Sequence, residues 1–414
     1  MKKKLLFILV ATLCITMFTG CGDDSADTEV TDFPATTDYE LLNSQDAEVN
    51  DEQIGKEDIA EEDDASEEFI AEVSEEIESE DDYALEAYVN EIFPEDGDYE
   101  TVNGDGNLKY QVYESGYATL GGSYTEGDTI LETVEYEGKN YEVVGLYNFN
   151  GIGEITVPSH IKYLLEHAFG NQWTKINIPD TVEYIDGDRL IGGGDAINLK
   201  EINFPAKIST KEEPWQYTFE CADQLEFVQF PEGIKKMDNV FYQCNGIKEV
   251  ILPDSVEELD GTFNGCVNLE KVNTPKNLKR IEGATFLDCK NLHAFDLPSA
   301  LDYLDVSCFS FTGIEEIVFQ CDVEKVIGVI QLGPDTTKVV FPSKANGGTL
   351  KVVAEESNAL KEIVMPDDTE ELVKSTFDVN RDYEYDITVK VPASILDDAT
   401  AQFADKPYLH FVAK

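Results

Sequence analysis

Six cysteines stand in the second half of the chain, and their spacing limits what chemistry they can do. Cys221, Cys244, Cys266, Cys289, Cys308 and Cys321 contain no C-x-x-C pair, so the spacing of a zinc site or a dithiol redox centre is absent. The four histidines, His160, His167, His293 and His410, are far apart and form no H-E-x-x-H, which removes the helical zinc-hydrolase arrangement. No G-x-S-x-G elbow and no phosphate-cradling glycine loop occurs. Carboxylate pairs such as Glu257-Glu258 abound, but in so acidic a chain they read as solvated surface, and none stands out as an acid-base couple. The nearest approach to a metal loop is NGDGN (103–107). Asn103, Asp105 and Gly106 fall where a twelve-residue calcium loop has two ligands and its glycine, yet Thr101 and Val112 hold the end positions that need carboxylates. Asn-Gly and Asp-Gly are strong turn formers, so a turn leading into a strand is expected there. The sequence thus predicts no catalytic residue, no metal site and no cofactor.

What remains is a question of which elements the chain builds. Its 414 residues carry a net charge of −55, and such a surface repels nucleic acid, whose binding requires Lys and Arg to neutralise phosphates. Lys2, Lys3 and Lys4 precede an apolar run of 14 residues, Leu5 to Phe18, and then Thr19-Gly20-Cys21. This is the layout of an export signal, over 1–20, and the run is short for a membrane span. Phe18-Thr19-Gly20-Cys21 resembles the lipobox of bacterial lipoproteins, with Phe18 where that family usually has Leu. The resemblance implies lipidation of Cys21, an anchor in the outer side of a bacterial membrane, and an extracytoplasmic location; the alternative is a plain secretory signal with an incidental cysteine. From Gly22 to Glu100 there are 32 acidic residues against a single base, Lys56. A segment of that composition stays disordered and extended by self-repulsion, so 21–100 reads as a spacer stalk. Within it, YALEAYVNEIF (83–93) has apolar residues at helical spacing and predicts one short helix ending at Pro94.

Residues 101–146 are rich in Tyr, Val, Thr and Gly, with turn signals at 114–116, 126–128 and 137–139, and predict a small antiparallel β cap. From 147 to 414 the chain repeats itself. Aligned on Pro158, Pro179, Pro205, Pro231, Pro253, Pro275, Pro298, Pro342, Pro366 and Pro392, with Gln320 in one proline slot, it gives about eleven units of roughly 23 residues, the signature of a solenoid. Three residues before the slot stands Ile or Val (Phe295 in the seventh unit), and one before stands another apolar residue (Thr274 in the sixth). Two residues apart, these share one face of a strand. Six before lies a further apolar residue, Ile152 in the first unit and Leu269 in the sixth. After the proline, apolar residues at +3 and +6 line the return, and Phe169, Phe219, Phe241, Phe263, Phe286, Phe309 and Phe377 fill the turn. No unit can bury these residues alone, whereas stacked units can. The expected fold is a β-rich solenoid with one parallel sheet, closed by a strand, a short helix capped near Ser394, and a last strand.

The consensus L-x-x-V-x-L-P-x-x-V-x-x-L-x-x-x-F-x-x-C resembles the BspA-like leucine-rich repeat of bacterial surface proteins. It covers about two thirds of the chain and is interrupted at 187–215 and 328–350. The resemblance implies a leucine-rich-repeat array that mediates protein or glycan binding, adhesin-like and non-catalytic. Alternatives are a structural envelope component without a ligand and, less in keeping with the residues, a hydrolase or solute-binding lipoprotein. In the family the cysteine of the motif is a small buried residue; free thiols or one or two bridges between adjacent rungs both fit the spacing, and Cys308 and Cys321 have no evident partner. A binding surface is expected on outward strand positions, two and four before the proline: Phe227, Glu249, Ile251, Lys271, Asn273 and Val318 are the candidates. The partner, protein or glycan, is not identified by them.

Overall fold

Each repeat becomes a strand and a corner for reasons local to its sequence. Residues such as Val250 and Leu252 alternate with outward ones over a short β-branched run, and a proline, unable to donate to a ladder, ends it. The computed structural model describes residues 76–94, 97–192, 196–354, 357–379 and 386–414, with side chains from residue 84. The leader, Cys21 and the stalk before residue 76 lie outside the described residues.

The strands that end at the proline stack in parallel as a front sheet in three blocks. The first holds Gly153–Thr156, Trp173–Asn177 and Glu201–Asn203; the second Phe227–Gln229, Glu249–Ile251 and Lys271–Val272. The third runs from Glu316–Val318 through Lys338–Val340, Glu362–Val364 and Ile387–Val391 to the closing strand Leu409–Ala413. Register is one residue to one residue, for example Val228 opposite Val250 and Val250 opposite Val272. The rung that ends at Pro298 carries no strand.

A second parallel sheet, absent from the one-sheet expectation, forms on the return side. Its strands include Lys236–Asp238, Glu258–Asp260, Arg280–Ile281, Ala300–Asp305 and Asp322–Gln331. The +3 and +6 apolar residues belong to these segments and their approaches: Val256 and Leu259 are fully buried. At the N-terminal end the cap joins the same side. Strands β1 (Tyr99–Asn103), β2 (Asn107–Tyr113) and β3 (Tyr117–Ser123) are antiparallel neighbours, β4 (Thr133–Tyr136) pairs antiparallel with β5 (Lys139–Asn150), and β3 runs parallel to β5. Strand β5 then pairs in parallel with Tyr163–Leu164, the first return strand. The NGDGN turn links β1 and β2; Gly106 has φ +58, and the carboxylate of Asp105 accepts from the N–H groups of Gly106 and Thr129 at 3.0 and 3.1 Å.

Between the two sheets the turn phenylalanines form a continuous stack. Phe219, Phe241, Phe263, Phe286 and Phe309 follow one another at centroid distances of 5.3–5.5 Å, with Phe263 and Phe286 only 7° from parallel. The residue before the phenylalanine is threonine in three of these rungs, and Thr218, Thr262 and Thr285 are buried with their hydroxyls donating to carbonyls of the preceding rung. The motif cysteines behave likewise. Cys266 and Cys289 donate their thiols to the carbonyls of Phe241 and Phe263 at 3.0 and 3.1 Å, and Cys244 to that of Phe219. All six cysteines of the array are free thiols, and burial pushes those of Cys244, Cys266 and Cys289 well above the ordinary thiol range.

Three expectations are corrected. Ile152 is not core: it is 80% exposed, because the Trp173 indole fills the first rung against Gly151 and donates to the Phe149 carbonyl at 3.0 Å. The short helix assigned to the stalk is α1, Glu76–Ile92, longer than expected, and its C-terminal end is part of the fold. Val89, Ile92 and Phe93 are buried against Tyr113, Tyr163 and Tyr184, so ordered structure begins before residue 101. At the far end, helix α2 (Leu396–Gln402) follows a single 3₁₀ turn and has no side-chain cap from Ser394.

Candidate binding face

The outward residues of the front sheet form two columns. Four before the proline, Glu154, Lys175 and Glu201 are in register in the first block, Phe227, Glu249 and Lys271 in the second, and Glu316, Lys338 and Glu362 in the third. Opposite charges thus alternate one strand apart. Lys175 meets Glu201 at 2.8 Å, Lys271 pairs with Glu249, and Lys338 lies 3.9 Å from Glu316 and 3.4 Å from Glu362. Such exposed pairs contribute little to stability, but they neutralise the column from within.

The second column, two before the proline, changes character along the array. In the first block Asn203 donates to Asn177 at 2.8 Å and Asn177 to Thr156 at 3.3 Å. In the second block Ile251 stands between the polar Gln229 and Asn273, and after Asp296 the column becomes apolar, with Val318 in register with Val340 and Val364, all three half-buried.

The candidate residues therefore part company. Glu249 and Lys271 are brought together and satisfy each other. The amide of Asn273 accepts from the Leu252 N–H at 2.7 Å and donates to its carbonyl at 2.9 Å, which makes it a side-chain substitute for a ladder bond. Phe227, 46% exposed, interrupts the charge column at the edge of the second block. Ile251 and Val318 sit on the sheet face. What sequence reasoning missed is a row of amides at the turns: Asn268 donates to the Asn245 carbonyl at 2.8 Å and Gln224 to that of Ile197 at 2.9 Å. The recurrence of Asn two residues after Cys266 and Cys289 is its signal.

On the return side a column without bases appears. Gln216, Asp238 and Asp260 are in register, and Glu282 and Asp305 continue the line, each one residue past the paired Ile281 and Leu304. Burial, then Asp238, Glu282, Glu258 and Asp305, push the Asp260 carboxyl up to about 6. Arg280, on the neighbouring column, is engaged by Glu282 and by the ring of Tyr303 at 4.6 Å. The folded pKa lies above the ordinary value of about 3.9, so the folded chain holds this proton more tightly than the unfolded one. The stability this confers is complete below about pH 4 and lost as pH rises through about 6. Asp260→Asn is expected to raise the unfolding temperature at pH 7.5 by the equivalent of about 1 kcal/mol, discounted for partial exposure, and to flatten its fall between pH 5 and 7. Thermal unfolding of both forms across that range checks this.

Among the described residues no three His, Cys, Asp or Glu side chains could jointly hold a metal ion, and no helix is long and apolar enough to cross a membrane. Strand, proline corner, return and phenylalanine turn recur with the spacing of one repeat family. Its model, the BspA-type leucine-rich repeat region, matches in six copies over 140–213 and 213–328. Residues 140–328 are BspA-type leucine-rich repeats. A leucine-rich repeat protein from Bacteroides ovatus is similar to the chain at 20% identity and TM-score 0.43, over 75% of this chain and 98% of that one. The pneumococcal vaccine antigen PcpA is similar at 17% identity and TM-score 0.42, covering 77% and 99%. A leucine-rich cell-surface protein from Faecalibacterium prausnitzii stands at 16% and 0.39, covering 76% and 94%. A search of curated protein sequences gives no match. The front sheet continues past residue 328, since Glu316–Val318 pairs onward through three more strands to the closing strand.

Proposed function

We propose that the protein is a lipid-anchored bacterial surface protein that carries its BspA-type array on an acidic stalk and binds a protein or glycan across the front sheet, without catalysis. The observation that carries this reading is the character of the front face. Most charges of its charged column are paired with one another, and its second and third blocks also present uncharged apolar side chains outward: Phe227, Ile251, Val318, Val340 and Val364. A rigid, self-neutralised ladder with an apolar stripe loses little entropy when a partner lies on it, and apolar area at the centre of a polar rim is the usual make-up of a protein interface. The export signal and the lipobox-like Cys21 support the location, and the 32 carboxylates before residue 101 support a spacer.

The test is to probe residues 22–414, freed of the leader and Cys21, against arrays of glycans and of cell-surface and matrix proteins. At least one saturable ligand is expected. No saturable ligand in either array would favour a structural role in the envelope. Radiolabelled palmitate should enter the full-length chain expressed in a bacterium and not its Cys21→Ala form.

A further inference from the structure

The front sheet breaks between its second and third blocks, at a rung that carries one oversized side chain. In six other rungs the N–H just before the proline slot donates to a carbonyl of the next rung. Val157 bonds Asn177, Ile178 bonds Asn203, Phe230 bonds Ile251, Phe319 bonds Val340, Phe341 bonds Val364 and Met365 bonds Lys390, all at 2.8–3.0 Å. No such bond joins Leu297 to Val318 or Thr274 to Asp296 among the described residues; Thr274 reaches the Asp296 carbonyl through its hydroxyl instead. The slot three before the proline, filled by Ile or Val in the other rungs, here holds Phe295. Its ring presses on Phe286 at 4.7 Å and Phe309 at 6.1 Å. Overfilling a close-packed slot displaces backbone, and Phe295 is only half-buried where Val250 and Val339 are fully buried.

Beside the rung lies a groove of about 210 Å3 whose apolar wall includes Phe295, Leu297 and Phe309 and whose polar wall holds His293, Asp296 and Glu316. Phe319 turns its N–H toward the next rung, so by the alternation of a strand Glu316 and the N–H of Val318 turn toward the groove, while the Val318 carbonyl accepts from the Gln320 N–H at 3.0 Å. An unpaired strand edge is a template for another strand. The groove's rim is anionic: Asp296 and Glu315 are exposed, Glu316 shares Lys338 with Glu362, and nearby Lys271 is paired with Glu249.

We propose that this groove receives an extended, cationic peptide segment of a protein partner. Its main chain pairs with the edge of Glu316–Val318, an apolar side chain seats against Phe295 and Phe309, and flanking Lys or Arg face the acidic rim. The assignment rests on the front sheet being the binding face, and it narrows the partner to protein.

The probe is a fluorescein-labelled (Lys-Val)4 octapeptide titrated into residues 22–414 and followed by anisotropy. Micromolar binding is expected, at least tenfold weaker for (Glu-Val)4 and for (Lys-Val)4 with N-methylated valines, which cannot pair through the backbone. Phe295→Ile, which lets the ladder close, should bind at least tenfold more weakly while unfolding at an equal or higher temperature. Asp296→Lys, at an exposed site, supplies a second loss of binding independent of packing. Equal binding of the parent and N-methylated peptides, equal binding by Phe295→Ile, or no binding at millimolar peptide overturns the assignment. Each of those results leaves the broader reading standing, because that reading falls only if the glycan and protein arrays are empty.

Discussion

Phe263→Ala is expected to destabilise the array by about 3–5 kcal/mol, the range for removing a fully buried aromatic side chain. Phe263 lies 5.5 Å from Phe241 and 5.4 Å from Phe286 in the stack and has no exposed surface. Its loss uncouples two interfaces at once, and a solenoid's stability is roughly a sum of such nearest-neighbour terms. The control is the same chemical change at an exposed site. Phe227→Ala removes the same atoms from a side chain that is 46% exposed at a block edge and should cost within about 0.5 kcal/mol. Urea unfolding followed by circular dichroism separates the two. Equal losses would mean that the stack does not hold the rungs together.

The second large effect concerns α1. A chain that begins at residue 101, where composition alone places the start of ordered structure, should be markedly less stable than one that begins at residue 76. Val89, Ile92 and Phe93 cover the outward rings of Tyr163 and Tyr184 on the first return strands, and Phe93 meets Tyr113 edge-on at 5.1 Å. The Glu86 carboxylate accepts from the Glu212 N–H at 3.2 Å, tying the helix to the third rung. Removing α1 leaves a tyrosine face in water. Phe93→Ala in residues 22–414 should cost about 2–4 kcal/mol, and the truncation should add binding of a hydrophobic dye at neutral pH. A truncated chain that unfolds at the same temperature and binds no dye would show that the helix is dispensable.

Much of this fold was written plainly in the sequence because a solenoid repeats its rules. Pro253, Val250, Leu252 and Phe263 each recur at fixed offsets, and repetition turns a weak local signal into a strong one. The second sheet was hidden because its early strands are two or three residues long, as at Tyr184–Ile185 and Glu258–Asp260. Two residues cannot display an alternation. Helix α1 was visible as an apolar pattern, but its docking site was not, since Tyr163 and Tyr184 are outward residues that look like ordinary strand surface until a helix covers them.

The candidate face was legible by position and not by commitment. Offsets place Glu249, Lys271 and Asn273 outside the core, and that is where they stand. Only coordinates reveal that the first two satisfy each other and that Asn273 closes a ladder bond to Leu252. Phe295 is the reverse case. It obeys the apolar pattern of its slot, and its volume, which the pattern does not weigh, falls at the rung where the sheet breaks.

The central claim is that the front sheet, and not the return sheet, meets the partner. The direct measurement is the affinity of residues 22–414 for the saturable ligand found on the arrays, compared with two variants by surface plasmon resonance. One carries Ile251→Lys and Val340→Lys on the front sheet; the other carries Asp302→Lys and Lys325→Glu on the return sheet, where both residues are exposed. At least a tenfold loss is expected for the front pair and an unchanged affinity for the return pair. An unchanged affinity for the front pair, or an equal loss from the return pair, contradicts that claim.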